Sequence, residues 1–84
     1  MTLHRLKAWP VYYRHLIEGK TAELREDDRG YEVGDAIDIW EWDPNLSTYS
    51  GRHEVREITH ISRLDFLGEN LRGYVILSLR EAEP

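Results

Sequence analysis

A chain of 84 residues, 40% of them apolar, supports one hydrophobic core over residues 1–84 and leaves no room for a second. The absence of cysteine excludes disulfides and cysteine-ligated zinc, and no apolar run approaches the roughly 20 residues that span a bilayer. The formal charge of −5 opposes nucleic acid at long range. Its distribution is uneven, however: Glu32, Asp35, Asp38, Glu41 and Asp43 lie between Gly30 and Gly51 with no Lys or Arg among them, and every basic residue falls in 5–29 or 52–80. A basic surface can therefore form on one side while the middle segment stays acidic. The N-terminal "MTLHRLKAW" has neither the apolar stretch nor the cleavage site of a secretory signal, so a cytoplasmic protein is expected.

Residues 2–8 read as a strand, although Leu3 and Leu6 break strict alternation. Pro10 suits the first turn of a helix, where its missing N–H has no partner to lose. Tyr12, Tyr13, Leu16 and Ile17 then recur at helical spacing over 10–18, and Gly19 is a natural stop. Residues 20–25 alternate as a half-buried strand, with Ala22 and Leu24 on one face and Thr21, Glu23 and Arg25 on the other. "EDDRGYEVGD" is a polar loop in which Asp28 is placed to cap a turn and Gly34-Asp35 to turn the chain into the next strand; it is no phosphate loop, because no glycine run leads into Lys-Ser or Lys-Thr and a helix. "AIDIWEW" at 36–42 is a strand with Ile37 and Ile39 opposite Asp38, Trp40 and Trp42. "DPNLSTYSG" is turn chemistry, and residues 52–61 return as the second arm of a hairpin. In that arm Val55 and Ile61 share a face and Ile58 does not, a pattern that a β-bulge accounts for. A connection over 62–73, with one helical turn, leads to the last strand, "YVILSL" at 74–79.

The order β-α-β-β-β-β defines a mainly β (α+β) fold. One short helix cannot cover a sheet of five strands, so the sheet must curl on its own apolar face. A small, partly closed β-barrel results, with the helix after the first strand plugging one end.

The chemistry concentrates at 20–25. Glu23 and Arg25 are two apart on a strand and point to one side, and Lys20 at the strand's start can lean over that side. An ammonium, a carboxylate and a guanidinium on one surface can hold a base edge and a phosphate together: Arg offers a planar fork to oxygens, and Glu accepts from an exocyclic amine. The plain alternative is a solvated strand face with a weak ion pair worth about 0–1 kcal/mol. His15, His53 and His60 lack metal spacing, and no serine stands in a nucleophile context, so neither a metal nor a cofactor is expected. Trp40, Trp42, Tyr49 and Tyr74 offer a stacking surface for bases, but core packing is the expected role of most of them. Tyr74, beside a glycine, is kept as a pocket wall.

"HRLKAWPVYYRHLIEGKTAELREDDRGYEVGD", with "EWDPNLSTYSGR" and "GYVILSL" further on, resembles the DUF3850 group of the ASCH domains, within the PUA-like superfamily. The ASCH signature is Gly-x-Lys-x-x-Glu-x-Arg; Lys20, Glu23 and Arg25 occupy its three charged positions, and its glycine is displaced to Gly19. The resemblance implies a PUA-like barrel that binds RNA or a nucleotide. Lys20, Glu23 and Arg25 would serve as ligand contacts, His4 and Lys7 would supply a proton donor and a second phosphate contact, and Arg29 and Tyr74 would flank the cleft. Some ASCH proteins are amidohydrolases of N4-acetylcytidine that use a lysine, a threonine and a glutamate. By that analogy Lys20 and Glu23 would be catalytic, although Glu23 stands where those enzymes have threonine. A third possibility is a ligand-free interaction module, with a featureless face at 20–25 and an exposed apolar patch elsewhere.

Overall fold

In the first strand, β1 (Leu3–Ala8), every second residue turns inward: His4, Leu6 and Ala8 are buried while Leu3, Arg5 and Lys7 face out. The alternation is strict once His4 is counted as an inward residue, which apolar counting misses. The structure, a computed structural model, describes residues 1–82. After β1 come α1 (Pro10–Ile17), β2 (Ala22–Glu26), β3 (Ala36–Asp43), β4 (Thr48–Arg63), two single 3₁₀ turns (Asp65–Leu67 and Glu69–Leu71) and β5 (Tyr74–Glu81). The strands form one sheet in the order β1-β3-β4-β5-β2, parallel between β1 and β3 and antiparallel elsewhere. The protein is thus mainly β: a five-stranded sheet curled into a half-barrel, with one short helix after the first strand.

Two register shifts produce the curl. One lies between Trp40 and Trp42 opposite β4, the other between Ile58 and His60 opposite β5. The second leaves Thr59 as the extra residue, so that Ile58 pairs with buried Leu79 and Ile61 with buried Leu77 on the same face. The bulge expected in this strand is present, but it unites Ile58 with Ile61. Val55 sits opposite Asp38 on the outer face. β4 also begins at Thr48, earlier than expected, because the turn needs only the residues after Asp43, whose carboxylate accepts the backbone N–H groups of Asn45 and Leu46.

The core lies inside the curl. Leu6, Ile37, Ile39, Ile58, Val75, Leu77 and Leu79 come from the sheet, Tyr13 and Leu16 from α1, and Tyr31 from the loop before β3. On α1 only Tyr13 and Leu16 are buried; Tyr12 and Ile17 point to solvent. Pro10 opens the helix and Gly19 closes it. At φ +115° Gly19 takes a backbone conformation that a side chain would strain. Its N–H donates to the Leu16 carbonyl and the Lys20 N–H to the His15 carbonyl, the paired bonds of a Schellman ending. That ending fixes where Lys20 leaves the helix.

β2 departs from the expected pattern. A half-buried strand ordinarily turns its apolar side inward, yet Leu24 is 60% exposed and Glu23 is 7% exposed. The register explains it: Glu23 pairs with Leu77 and Arg25 with Val75, so the charged side shares the concave face. β2 is an edge strand, and at the open edge of a half-barrel the concave face is a mouth lined by polar partners. The turn-capping acid is also corrected by one position. Asp27, not Asp28, accepts the Gly30 and Tyr31 N–H groups, each at 3.0 Å, and Asp28 points to solvent. Gly34, at φ +97°, makes the expected turn into β3.

Candidate functional site

Curling brings the two edge strands, β1 and β2, to face one another across an open seam. No backbone ladder joins them. Two arginines bridge the gap instead: Arg25 Nη2 donates to the Lys7 carbonyl at 3.1 Å, and Arg29 Nη1 donates to the Arg5 carbonyl at 2.9 Å. Carbonyls 5 and 7 lie on the side of β1 away from β3, so these bonds satisfy the exposed edge of the sheet.

Beside this seam lies a cleft of about 590 Å³, lined by Lys7, Ala8 and Trp9 from β1 and its end, Tyr12 from α1, Lys20 and residues 23–26 along β2, and Tyr74 from β5. Within it Lys20, Glu23 and Arg25 converge. Glu23 Oε1 is 2.7 Å from Lys20 Nζ, and Oε2 accepts from Arg25 Nε at 2.8 Å. A carboxylate this buried needs such partners, and each of its oxygens has a cation. Both cations keep donors in reserve: the ammonium has three and the guanidinium five. The cleft therefore carries three cations (Lys7, Lys20, Arg25) against two carboxylates (Glu23, Glu26), a local balance opposite in sign to that of the whole chain.

Five of the residues singled out from the sequence thus border one cleft: Lys7, Lys20, Glu23, Arg25 and Tyr74. Arg29 lies further along the seam, on a neighbouring cleft that also includes Lys7. His4 is not in either cleft. It is buried on the inner face, with Nε2 2.9 Å from Asp35 Oδ2 and its ring edge-on to Tyr31 at 4.8 Å. Asp35 also accepts the Thr2 and Glu32 N–H groups, and its bonds to His4 and Thr2 hold its carboxyl below the usual range despite burial. His4 thus lies away from both clefts and ties the chain's start to the turn before β3.

Trp9 and Tyr12 are cleft walls that sequence reasoning passed over. Their rings lie 6.3 Å apart and are tilted by 34°. Three residues apart at the start of a helix, they share a side that Tyr13 and Leu16 leave outside the core, and this was the available signal. The expectation that most aromatics would be core is also corrected. Trp40, Trp42 and Tyr49 lie on the outer face, where Trp40 stacks on His53 at 4.1 Å and Lys7 Nζ sits 4.1 Å from the centre of the Trp42 ring. His53 Nδ1 is 2.7 Å from buried Asp38. Among the described residues no three His, Asp or Glu side chains gather as a metal cage, and no helix is long and apolar enough to cross a membrane.

A curled half-barrel with an ion-paired cleft at its open seam is the class that fold and site define. The chain matches the family described as "Domain of unknown function (DUF3850)" over residues 3–79, and it belongs to that family. It is also similar to the "Uncharacterized 12.9 kDa protein in GpA 3'region" of Escherichia phage P2, with 34% identity over 76 residues. That alignment covers 89% of this chain and 65% of the relative, so the chain spans slightly less than two thirds of the phage protein's length.

Proposed function

We propose that this domain is a PUA-like module of the ASCH type that binds single-stranded RNA, or a nucleotide, in the cleft between β1 and β2. The observation that carries this reading is the convergence of Lys20, Glu23 and Arg25 on a 590 Å³ cleft whose other walls include Trp9, Tyr12 and Tyr74. Aromatic walls accept the face of a base, each stacked base being worth about 1–3 kcal/mol. The free donors of Lys20, Arg25 and Lys7 donate to phosphate or carbonyl oxygens. Glu23 holds one cation on each oxygen and so orients both, which makes its part in this reading positioning.

Titrating oligouridylate into the protein at several salt concentrations tests the proposal. Binding should weaken with salt by a log–log slope of about −0.7 for each phosphate engaged. Lys20→Ala and Arg25→Ala should each reduce affinity by about tenfold, the scale of one charge-assisted contact. Affinity that is absent at low salt, or unmoved by both substitutions, ends the reading.

The 2.7 Å contact between Lys20 and Glu23 at the cleft wall favours one further reading, an amidohydrolase of an acylated cytidine. Its chemistry is poorly served: each Glu23 oxygen is already engaged by a cation, and Thr21, the neighbouring threonine, lines not this cleft but a depression on the other side of Lys20, beside Arg56 and Leu79. Release of cytidine from N4-acetylcytidine at high protein concentration would establish it, and no release would dismiss it.

A further inference from the structure

The seam continues past the first cleft. A second cleft of about 410 Å³ is lined by Arg5, Leu6, Lys7, Arg29, Trp40 and Tyr49, and it shares Lys7 with the first. Two of its cations, Arg5 and Lys7, differ from most others in the chain. Among the described residues Arg5, Lys7 and Arg14 alone of the Lys and Arg residues lack a carboxylate within 4.0 Å, and the charge of Arg14 acts on Glu41. Arg5 and Lys7 make no side-chain hydrogen bond to another described residue. Two cations without a carboxylate partner thus stand on alternate residues of one strand, their backbones about 6.6 Å apart along the seam, with Lys7 Nζ resting over the Trp42 ring. The Trp40 and Tyr49 rings meet edge to face at 6.2 Å in the same cleft, and Trp40 Nε1 is buried without a hydrogen-bond partner. Tyr49 is 53% exposed, so its ring is open to a base.

We propose that this second cleft is a nucleotide subsite, so that the ligand of the seam is a single RNA strand of at least two residues. One base lies against Trp9, Tyr12 and Tyr74, the linking phosphate sits at Lys7, and the next base lies on Tyr49 beside Trp40 with its phosphate held by Arg5 and Arg29. The inference rests on the reading of the first cleft as an RNA site, and it adds length dependence and direction along β1. Of the acids near it, Asp38 is turned to His53 and Glu41 to Arg52, while the exposed Asp28 stands 3.8 Å from Arg29 and leaves Arg5 as the arginine of this cleft with no carboxylate beside it among the described residues.

The experiment titrates uridine 5′-monophosphate and oligouridylates, from the dimer to the hexamer, and follows the intrinsic fluorescence of Trp9 and Trp40. The wild-type protein should bind the dimer and longer strands at least about tenfold more tightly than the monophosphate, the gain from one more stacked base and one more phosphate. Arg5→Ala and Tyr49→Ala should each remove most of that gain and leave monophosphate binding unchanged, and Arg5→Ala should flatten the salt slope by about 0.7. Both side chains are exposed, so the variants keep the fold, and Arg5→Gln preserves side-chain length as a second variant. Affinity that does not rise with length, or a hexamer bound equally well by the three variants, overturns the inference while leaving the first cleft intact. A wild-type protein that binds neither the monophosphate nor any oligouridylate overturns the reading of the first cleft and this inference with it.

Discussion

Glu23 is the residue on which the cleft depends. Its carboxylate is held at 2.7 Å by Lys20 and at 2.8 Å by Arg25, at the edge of a face otherwise lined by Val75 and Leu77. Replacing one member of such a group is costly because the remaining charges lose their counterion. The two cations are partly exposed, so water screens them and the penalty stays well below that of a fully buried pair. Glu23→Gln should therefore destabilise the fold by about 1–3 kcal/mol, read as a drop of several degrees in thermal unfolding. A Tm unchanged by Glu23→Gln would show that the carboxylate is not what holds the two cations. The sequence made the three residues legible because spacing puts Glu23 and Arg25 on one side of a strand. It did not show that this side faces inward, since hydropathy alone favours Leu24 there. Nor did it separate His4 from the site. A histidine buried against Asp35 and one aimed at a ligand occupy the same alternation, and the partner lies 31 residues away in the chain.

At the scale of elements, the two edge strands are what leave a site open. β1 and β2 end the sheet on opposite sides, and a closed ladder between them would fill the seam. Side chains close it instead. Arg25 and Arg29 take the Lys7 and Arg5 carbonyls, satisfying the edge while leaving space between the strands. Exposed edges of this kind recruit other strands unless they are blocked. The double substitution Arg25→Ala, Arg29→Ala should therefore cost about 1–3 kcal/mol for two hydrogen bonds and expose β1 to pairing with a second copy. Sedimentation velocity should show concentration-dependent association in the double variant and none in the wild type. A variant that stays monomeric at high concentration would mean that the arginines do not guard the edge. The elements themselves were largely readable: the helix with its proline start and glycine stop, the β3–β4 hairpin and the bulge in β4. The half-closed curl was readable only as a necessity of covering five strands with one helix. The arginine bridges were not readable, because they join residues 18 and 24 positions apart to backbone atoms that carry no sequence signal.

Over the whole molecule, the acids of the middle segment are largely taken inside the fold. Asp35, Asp38 and Glu41, three of the five acids in the segment between Gly30 and Gly51, are buried, each beside a His or Arg. The middle of the chain is therefore not the acidic surface that its composition describes, and among the described residues Arg5 and Lys7 are left without a carboxylate partner at the seam. Among the described residues, three carboxyls lie below their usual range in the folded state. For Asp35 the cause is its bonds to His4 and to the Thr2 N–H. For Glu41 it is the Ser50 hydroxyl and the Arg52 guanidinium. For Asp27 burial acts upward, but the Tyr31 N–H, Arg63 and the Gly30 N–H outweigh it. A carboxyl whose folded pKa is lowered binds its proton more readily in the unfolded chain. It contributes stability that is fully present above the unfolded value of about 4 and is lost as pH falls through the folded value. The Tm should thus be nearly level from about pH 8 to pH 5 and fall progressively below about pH 4. Asp35→Asn separates this effect from general acid unfolding. At neutral pH it should lower stability, because a neutral amide holds His4 and the two N–H groups less strongly than a carboxylate. As pH falls below the usual carboxylate range its Tm should approach that of the wild type, whose own Asp35 loses its charge as pH passes through its lowered folded pKa. Parallel curves for variant and wild type across the whole range would exclude Asp35 as a source of the acid sensitivity and shift the cause to Glu41 and Asp27.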